Sequence, residues 1–188
     1  MPEERAFMEE YAIVLDYMPK GKHGLDAEPI AQVIGKQYFT LLEVIPNTEL
    51  KVFDTVYVGK DKRDKIKSVK RRIAYDELTG AAQAELEAAV EKIVKEDLKR
   101  FLDFYNNAKP ITIRMHQLEL LPGFGKKHLQ DILAEREKKP FKSFEDIEKR
   151  IPLLPDPFKA IVRRVLRELT NPEEKHYLFV RPFKKRRF

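Results

Sequence analysis

The chain reads Leu120-Leu121-Pro122-Gly123-Phe124-Gly125-Lys126-Lys127 ahead of an amphipathic run, and this stretch decides how its C-terminal half folds. Glycine has no Cβ and takes positive φ freely, so Gly123 and Gly125 predict a tight turn with outward-facing backbone amides. A helix that begins near Lys126 adds its own unpaired amides and the positive end of its dipole. Two lysines in that first turn oppose the dipole unless an anion lies between them. The stretch therefore predicts an anion site.

The surrounding pattern is similar to the helix-hairpin-helix motif. Residues 115–121 predict a first helix, Phe124 closes the turn, and residues 129–133 predict the apolar face of a second helix. In that motif the hairpin amides hold a phosphodiester backbone without reading its sequence, so the resemblance implies contact with nucleic acid. A turn that only packs two helices or binds protein is the alternative. The expected contact residues around the turn are Arg114, His116, Gly123, Phe124, Gly125, Lys126, Lys127 and His128.

Positive charge is concentrated in two other segments. The 188 residues carry a formal net charge of +6, but residues 1–59 hold 5 basic and 10 acidic side chains, whereas residues 60–72 hold 8 basic and 2 acidic ones. The last 13 residues hold 5 basic side chains and no acid. Such segregation favours a polyanionic partner, although a tail that only improves solubility is the alternative at the C-terminus. The expected basic contacts are Lys60, Lys62, Arg63, Lys65, Lys67, Lys70, Arg71, Arg72, Lys184, Lys185, Arg186 and Arg187.

The first third of the chain alternates short β-branched and aromatic runs with turn residues. Four or five strands are expected, and they fall at residues 11–18, 30–34, 39–45, 52–58 and 65–75. The spacing resembles a small oligonucleotide-binding (OB) barrel, a fold that binds single strands over basic surfaces and aromatic platforms. Candidate platforms are Tyr38, Phe53 and Tyr57, although aromatic residues on strands more often belong to the core.

From Gly80 to Asn106 the apolar period changes to that of a helix. A single helix of this length is about 40 Å long and is expected to connect two domains. Further along, Ser143 lies three residues before Asp146, a capping-box variant that predicts the start of another helix.

Residues 151–169 repeat the hairpin pattern at an offset of 33 residues. Asp156 and Phe158 replace the two glycines, so this second hairpin is expected to pack and not to hold phosphate, although Arg163, Arg164 and Arg167 would still line a basic face. After it, residues 176–181 have strand composition and either return to the barrel or fray.

Three stretches resemble an archaeal family, the domain of unknown function 655. They run from Ile73 to Thr79, from Pro110 to Lys127 and from Lys139 to Ile147, and the similarity covers nearly the whole chain. The resemblance implies an OB-like barrel joined to a helix-hairpin-helix region, with RNA or nucleotide binding. It implies no established activity.

The sequence carries no phosphate-binding loop, nucleophile elbow or dinucleotide fingerprint, and its four histidines lack metal-ligand spacing. Lys127 and Asp146 superficially fit the catalytic pair of helix-hairpin-helix DNA glycosylases, but Asp146 is explained as a capping residue and no extra helical domain encloses a flipped base. We therefore expect no enzymatic activity, no cofactor and no bound metal. Without cysteine there is no disulfide, and without a signal or transmembrane run the expected location is cytoplasmic, away from membranes.

These patterns predict an α+β protein in four parts: a small N-terminal OB-like β-barrel over residues 1–78, a connecting helix over 79–110, a helical helix-hairpin-helix (SAM-like) domain over 111–175, and a strand with a basic tail over 176–188. The expected function is sequence-tolerant nucleic-acid binding, with RNA favoured over DNA. The alternative is a protein-interaction module within a ribonucleoprotein or DNA-repair assembly.

Overall fold

The computed structural model describes residues 8–24 and 28–183 and has a mixed α+β architecture. The chain divides into two compact units: one runs to Val90 and resumes at Glu168, and the other is Glu91–Arg167. The strands are β1 (Tyr11–Met18), β2 (Ile30–Gly35), β3 (Leu41–Pro46), β4 (Thr55–Tyr57), β5 (Ile66–Arg72), β6 (Pro110–Thr112) and β7 (Met115–His116). The α-helices are α1 (Gly80–Glu96), α2 (Leu98–Asn107), α3 (Lys126–Lys138), α4 (Phe144–Arg150) and α5 (Pro157–Thr170). No helix in this described part is long and apolar enough to cross a membrane.

The first unit is built on a curled antiparallel sheet of five strands in the order β4-β1-β2-β3-β5. Alternate residues of these strands pack together because successive side chains of a strand point to opposite faces. The resulting core contains Ala12, Val14, Ala31, Val33, Val44, Leu50, Val56, Val58 and Ile66. All five expected strand segments are confirmed, but the fourth is shorter, because Lys51 and Asp54 close a turn and Phe53 has a φ of 70°.

The expected single helix from Gly80 to Asn106 is wrong. The chain leaves helical geometry at Asp97, where φ is −136° and ψ is 48°, so α1 ends at Glu96 and α2 begins at Leu98. Aspartate is a poor residue for a helix interior because its side chain competes for backbone hydrogen bonds. The apolar pattern conceals the break, since the buried Val94 and Phe101 are seven residues apart, close to two helical turns.

The expected first helix of the hairpin, over residues 115–121, is also wrong. Strands β6 and β7 form a two-stranded hairpin, and a short 3-10 turn follows at Gln117–Leu120. The Nδ1 atom of His116 accepts the amide of Leu118 at 3.1 Å, while Glu119 accepts the amide of His116 at 2.8 Å. The turn stops at Leu121 because a residue that precedes proline is pushed away from helical geometry.

The starts of α4 and α5 are both capped by side chains, and the cap of α4 was expected from the sequence. The Oγ atom of Ser143 accepts the amide of Asp146 at 3.0 Å, which confirms the predicted cap of α4. In the second hairpin, one carboxylate oxygen of Asp156 accepts the amides of Phe158 and Lys159 at 2.9 and 3.0 Å. A side chain therefore satisfies first-turn donors in both helices.

Residues 176–181 form no strand, so that prediction is wrong. The buried carboxylate of Glu168 accepts the amides of Leu178, Phe179 and Val180, which takes up the donors that a strand ladder would need. The segment still returns to the sheet-containing unit, because the amide of Arg181 donates to the carbonyl of Tyr38 at 3.1 Å.

Candidate nucleic-acid interface

The two glycines of the turn have different backbone requirements. Gly123 has a φ of 83°, a value that favours glycine, and a Cβ there would lie 3.6 Å from the ring of Pro155. Gly125 has φ and ψ of −102° and −174°, which is extended backbone open to any residue. The expected positive φ is therefore confirmed at Gly123 and wrong at Gly125.

Phe124 anchors the turn from inside. Its side chain is only 7% exposed, and its ring centre lies 6.3 Å from that of Tyr105 and 5.9 Å from that of His128. Its amide donates to the carbonyl of Leu121 at 3.1 Å. Phe124 thus fixes the shape of the hairpin, and neither its ring nor its amide faces a ligand.

The amide of Gly125, expected to hold phosphate, already has an acceptor. The Nδ1 atom of His128 lies 3.1 Å from the Gly125 nitrogen, so His128 reaches back across the first turn and caps it. The donors left for a ligand include the backbone amides of Lys126 and Lys127, because the first N–H groups of a helix have no intrahelical acceptor and the first such bond is made by Leu129.

The first turn of α3 differs in chemistry from those of its neighbours. Its N-cap, Gly125, offers no side-chain acceptor, and the turn contains no acidic residue. In α4 the N-cap Ser143 accepts the amide of the third helical residue, and in α5 the N-cap Asp156 accepts those of the second and third. Lys126 and Lys127 are both exposed, so positive side chains and unpaired amides occur together at this end of α3.

Arg114 and His116 do not share a helix face, since the helix expected there is absent. Arg114 is exposed in the turn between β6 and β7. The His116 ring is buried, and its Nδ1 is committed as an acceptor. Burial lowers the pKa of His116, the charge of Arg136 lowers it further, and Glu119 opposes them. The neutral imidazole is therefore a structural cap of the segment that leads into the hairpin.

A buried arginine, which no sequence expectation anticipated, supports that same segment. Arg164 is 1% exposed and donates from Nη1 to the carbonyl of Leu120 at 3.3 Å. The sequence pattern that indicates burial of Arg164 is helical spacing. One buried face of α5 contains Ile161, Arg164, Val165 and Glu168. The expected basic face of α5 is corrected to Arg163 and Arg167, which are exposed.

The basic segment 60–72 divides into two classes of residue. Members of one class have a hydrogen-bond or ion-pair partner in the described structure, although Lys67 and Arg71 are also exposed. Arg63 donates to the Gly59 carbonyl at 2.8 Å, and Lys67 lies 3.2 Å from a Glu28 oxygen. Arg71 bridges the carboxylates of Glu43 and Glu77, and Arg72 donates to the backbone carbonyl of Arg181.

Arg71 is neutralised by a polar cluster on strands β2, β3 and β5. Its guanidinium lies 2.8 Å from oxygens of both Glu43 and Glu77. Glu43 is buried and also receives Lys22 at 2.6 Å and Gln32 at 3.1 Å. Although burial raises the pKa of Glu43, hydrogen bonds from Lys22 and Gln32 lower it overall, so the group stays ionised. No sequence pattern indicated this cluster.

The second class is open to solvent. Its members are exposed, and none has an ion-pair partner among residues 8–24 and 28–183; they are Lys60, Lys62, Lys65 and Lys70. Lys70 lies on β5, an edge strand of the sheet, where exposed lysine also prevents edge-to-edge pairing of sheets. The tail residues Lys184, Lys185, Arg186 and Arg187 lie outside the described residues.

One aromatic pair lies beside two of these open lysines. Tyr11 on β1 is 49% exposed, and its ring meets that of Tyr57 on β4 edge to face at 5.3 Å. These two tyrosines line a cleft of about 500 Å³ whose charged lining residues are Lys62, Lys65, Glu10, Asp61 and Asp64. Of the expected platforms, Tyr57 belongs to this cleft, whereas Tyr11 was not among those expected from the sequence.

Of the two residues considered for catalysis, Asp146 has structural partners. Asp146 accepts the Lys142 amide at 3.0 Å and pairs with Arg150 at 3.3 Å. The hydrogen bond from the Lys142 backbone is the main cause that lowers the pKa of Asp146. Among the described residues no group of three or more histidine, aspartate or glutamate side chains is placed to hold a metal ion.

Comparison with known proteins gives three matches. A family model described as "Protein of unknown function (DUF655)" matches residues 8–181. The uncharacterized protein MJ0038 of Methanocaldococcus jannaschii is 45% identical over 176 residues, which cover 92% of this chain and 80% of that protein. The crystal structure of Af1531 from Archaeoglobus fulgidus superposes with a TM-score of 0.84 at 47% identity, covering 92% of this chain and all of that one.

Proposed function

The chain belongs to the DUF655 family of proteins of unknown function, and we propose from its own residues that it binds nucleic acid without enzymatic action. Binding is tolerant of sequence and prefers RNA to DNA. The ligand backbone is held by the start of α3, and exposed lysines on other surfaces add affinity. In this proposal the region around the turn works as a helix-hairpin-helix element whose first helix is reduced to a 3-10 turn.

The carrying observation is the combination of charge and open donors at the start of α3. Lys126 and Lys127 oppose the helix dipole, which costs a few tenths of a kcal/mol to about 1 kcal/mol when no anion is present. Gly125 supplies no capping side chain, in contrast to Asp156 of the second hairpin. A phosphate at this position would accept the two amides and neutralise both lysines.

The sheet supports a finer proposal, an OB-like half of the molecule. The strand order β4-β1-β2-β3-β5 corresponds to a five-stranded Greek-key barrel left open between β4 and β5. The two tyrosine rings of the cleft suit the unstacked bases of a single strand, and its three acids keep the strand's phosphates on the side of Lys62 and Lys65. The preference for RNA rests on the family resemblance and is tested through the 2′-hydroxyl.

The test is a salt-resolved binding assay by fluorescence anisotropy with matched single- and double-stranded RNA and DNA. The variant is Lys126→Gln/Lys127→Gln, and the control is Lys159→Gln/Arg163→Gln, which removes equal charge from the second hairpin's helix. If both lysines neutralise phosphates, the slope of log affinity against log salt should flatten by about 1.4 to 1.8 in the variant. The control should retain a slope close to that of the wild type.

Two results would count against the proposal. Equal slopes for variant and wild type, in protein that is folded by circular dichroism, would remove α3 from the interface. Tighter binding to DNA than to the matching RNA would refute the RNA preference.

A second candidate, a protein-interaction module, is favoured by two exposed apolar side chains in the second unit. Ile113 in the β6–β7 turn is fully exposed, and Leu153 in the second hairpin is 83% exposed. Single exposed apolar residues are common on protein surfaces. This candidate predicts that Leu153→Ser weakens a protein partner's binding and leaves oligonucleotide affinity unchanged.

A further inference from the structure

The first unit contains a second concavity, away from the lysines of the tyrosine cleft. Its volume is about 420 Å³, within the range of small-molecule sites. The end of β5, the end of α5 and the segment from Tyr177 to Phe183 form its walls. Glu168 fixes the last wall through its three backbone hydrogen bonds, so the cavity is a built feature of the fold.

Arg72 lines this cavity without a counter-ion. Its Nη2 donates to the Arg181 carbonyl, and its guanidinium stacks on the Phe183 ring at 5.2 Å from the ring centre. Its Nε is buried and has no acceptor in the described structure. No carboxylate among the described residues lies within ion-pair distance, whereas the preceding residue, Arg71, has two.

The electrostatic surroundings of Arg72 disfavour its charge. Burial is the main cause that lowers the pKa of Arg72, to about 10, and the charge of Arg181 lowers it further, while Glu9 opposes them. A partly buried cation beside a like charge is costly unless it is paired.

The acids close to the cavity do not resolve this conflict. The carboxylate of Glu9 is engaged by the amides of Gln37, Tyr38 and Thr40 at 2.8 to 3.1 Å. The carboxylate of Glu168 is engaged in the same way by the C-terminal segment, and Asp76 is exposed. An anionic ligand would therefore supply the missing partner of Arg72.

We propose that this cavity binds a nucleoside through its terminal phosphate monoester, either as a free nucleotide or at the end of a strand. A monoester carries a charge of about −1.5 to −2 at neutral pH and offers three acceptor oxygens to the Arg72 guanidinium. An internal phosphodiester carries a single charge. The rings of Tyr75, Tyr177 and Phe183 also line the cavity and provide apolar walls for a base.

The strand-end form of this proposal rests on the proposed function, and the free-nucleotide form does not. The experiment therefore has two arms. Calorimetry measures binding of AMP and of inorganic phosphate. Anisotropy compares single-stranded RNA oligomers with a 5′-phosphate, a 3′-phosphate or hydroxyls at both ends.

The variants are Arg72→Gln, which removes the charge, and Arg72→Lys, which keeps the charge and loses the planar fork. Lys51→Gln is the matched control, because it removes one exposed charge from the same unit at a residue outside the cavity and outside the proposed nucleic-acid contacts. We expect AMP to bind the wild type at least tenfold more tightly than Arg72→Gln, with Lys51→Gln unchanged within about twofold. Arg72→Lys should fall between them, since lysine cannot bind phosphate in bidentate fashion.

For strand ends, one phosphorylated oligomer should bind about tenfold more tightly than the hydroxyl form, and Arg72→Gln should abolish that difference. Absence of AMP binding together with equal affinity for all three oligomers would overturn the inference. Inorganic phosphate that binds as tightly as AMP would overturn the role of the rings. If no oligomer binds but AMP does so through Arg72, the inference stands and the proposed function fails.

Should Arg72→Gln not fold by circular dichroism, Arg72→Lys becomes the deciding variant. An AMP affinity of Arg72→Lys equal to that of the wild type would then refute the recognition of phosphate by the guanidinium fork.

Discussion

Replacement of Gly125 by aspartate should stabilise the protein and weaken nucleic-acid binding at the same time. The substitution gives α3 the carboxylate cap that Asp156 gives α5. Gly125 has extended φ and ψ, and a Cβ built there has nothing within 4 Å, so the backbone accepts aspartate without strain. The new carboxylate would accept the first-turn amides and occupy the position proposed for phosphate.

The stability gain has three parts. Aspartate in place of glycine at an N-cap contributes a few tenths of a kcal/mol. A negative charge at the helix start contributes about 0.3 to 1 kcal/mol. Removal of glycine contributes about 0.4 to 1 kcal/mol through the unfolded chain. The free energy of unfolding should therefore rise by about 1 to 2 kcal/mol, and each kcal/mol raises Tm by about 3 °C in a protein of this size.

The binding loss follows from the same geometry. Hydrogen bonds to a charged group are each worth about 1.5 to 3 kcal/mol, and 1.4 kcal/mol is a factor of ten in affinity. Loss of one such bond at Lys127, whose position in α3 corresponds to that of Phe158 in α5, should weaken oligonucleotide binding by roughly 10- to 100-fold. Thermal unfolding and fluorescence anisotropy on one preparation measure both effects.

The matched control is Gly125→Ala, which adds the same Cβ without the carboxylate. Its oligonucleotide affinity should stay within about threefold of the wild type. A Gly125→Asp protein that is stabilised yet binds with unchanged affinity would refute the role of the α3 amides. Equal weakening by alanine and aspartate would show that the side chain's bulk, and not its charge, is responsible.

Three further predictions concern other residues. Gly123→Ala should lower the free energy of unfolding by about 1 to 2 kcal/mol, because an alanine is strained at a φ of 83°. The added Cβ would meet Pro155 at ordinary van der Waals distance, so the loss comes from the backbone. Urea denaturation that shows no loss would contradict this. Removal of residues 184–188 should flatten the salt dependence of binding if the tail touches phosphates; an unaltered slope leaves it a solubility tail. The folded-state pKa of His116 is depressed, so its stabilising effect is complete above the unfolded value of about 6.5 and is lost as pH falls below it. Thermal unfolding between pH 7 and 5 should therefore depend less on pH in His116→Asn, which retains a capping acceptor, than in the wild type.

Local patterns predicted the parts of the fold that rest on short-range physics. The five strands of the sheet follow from alternation and turn residues, and the cap of α4 follows from the spacing of Ser143 and Asp146. The same reasoning failed where two local signals competed. The apolar spacing of Val94 and Phe101 concealed the break at Asp97, and the apolar residues before Pro122 concealed a β-hairpin and a 3-10 turn.

The candidate site shows the same division. The sequence predicted a turn at Gly123 with lysines at the start of a helix, and the structure has both. It did not predict that the His128 ring would take the Gly125 amide, because that bond depends on how the side chain folds back over the first turn. Likewise, the sequence does not show which of the eight basic residues in segment 60–72 have partners and which are open to solvent.

By itself the sequence determined the five strands of the sheet, the position of the turn at Gly123 and the segments that carry positive charge, since all three depend on residues close together in the chain. Only the tertiary structure decided which charges are available. Arg71 meets Glu43 across 28 residues, and Arg72 meets Arg181 across 109. A guanidinium that finds a carboxylate is neutralised within the fold, and one that meets only a carbonyl and a like charge is left to a ligand. That distinction exists only after distant segments have been brought together.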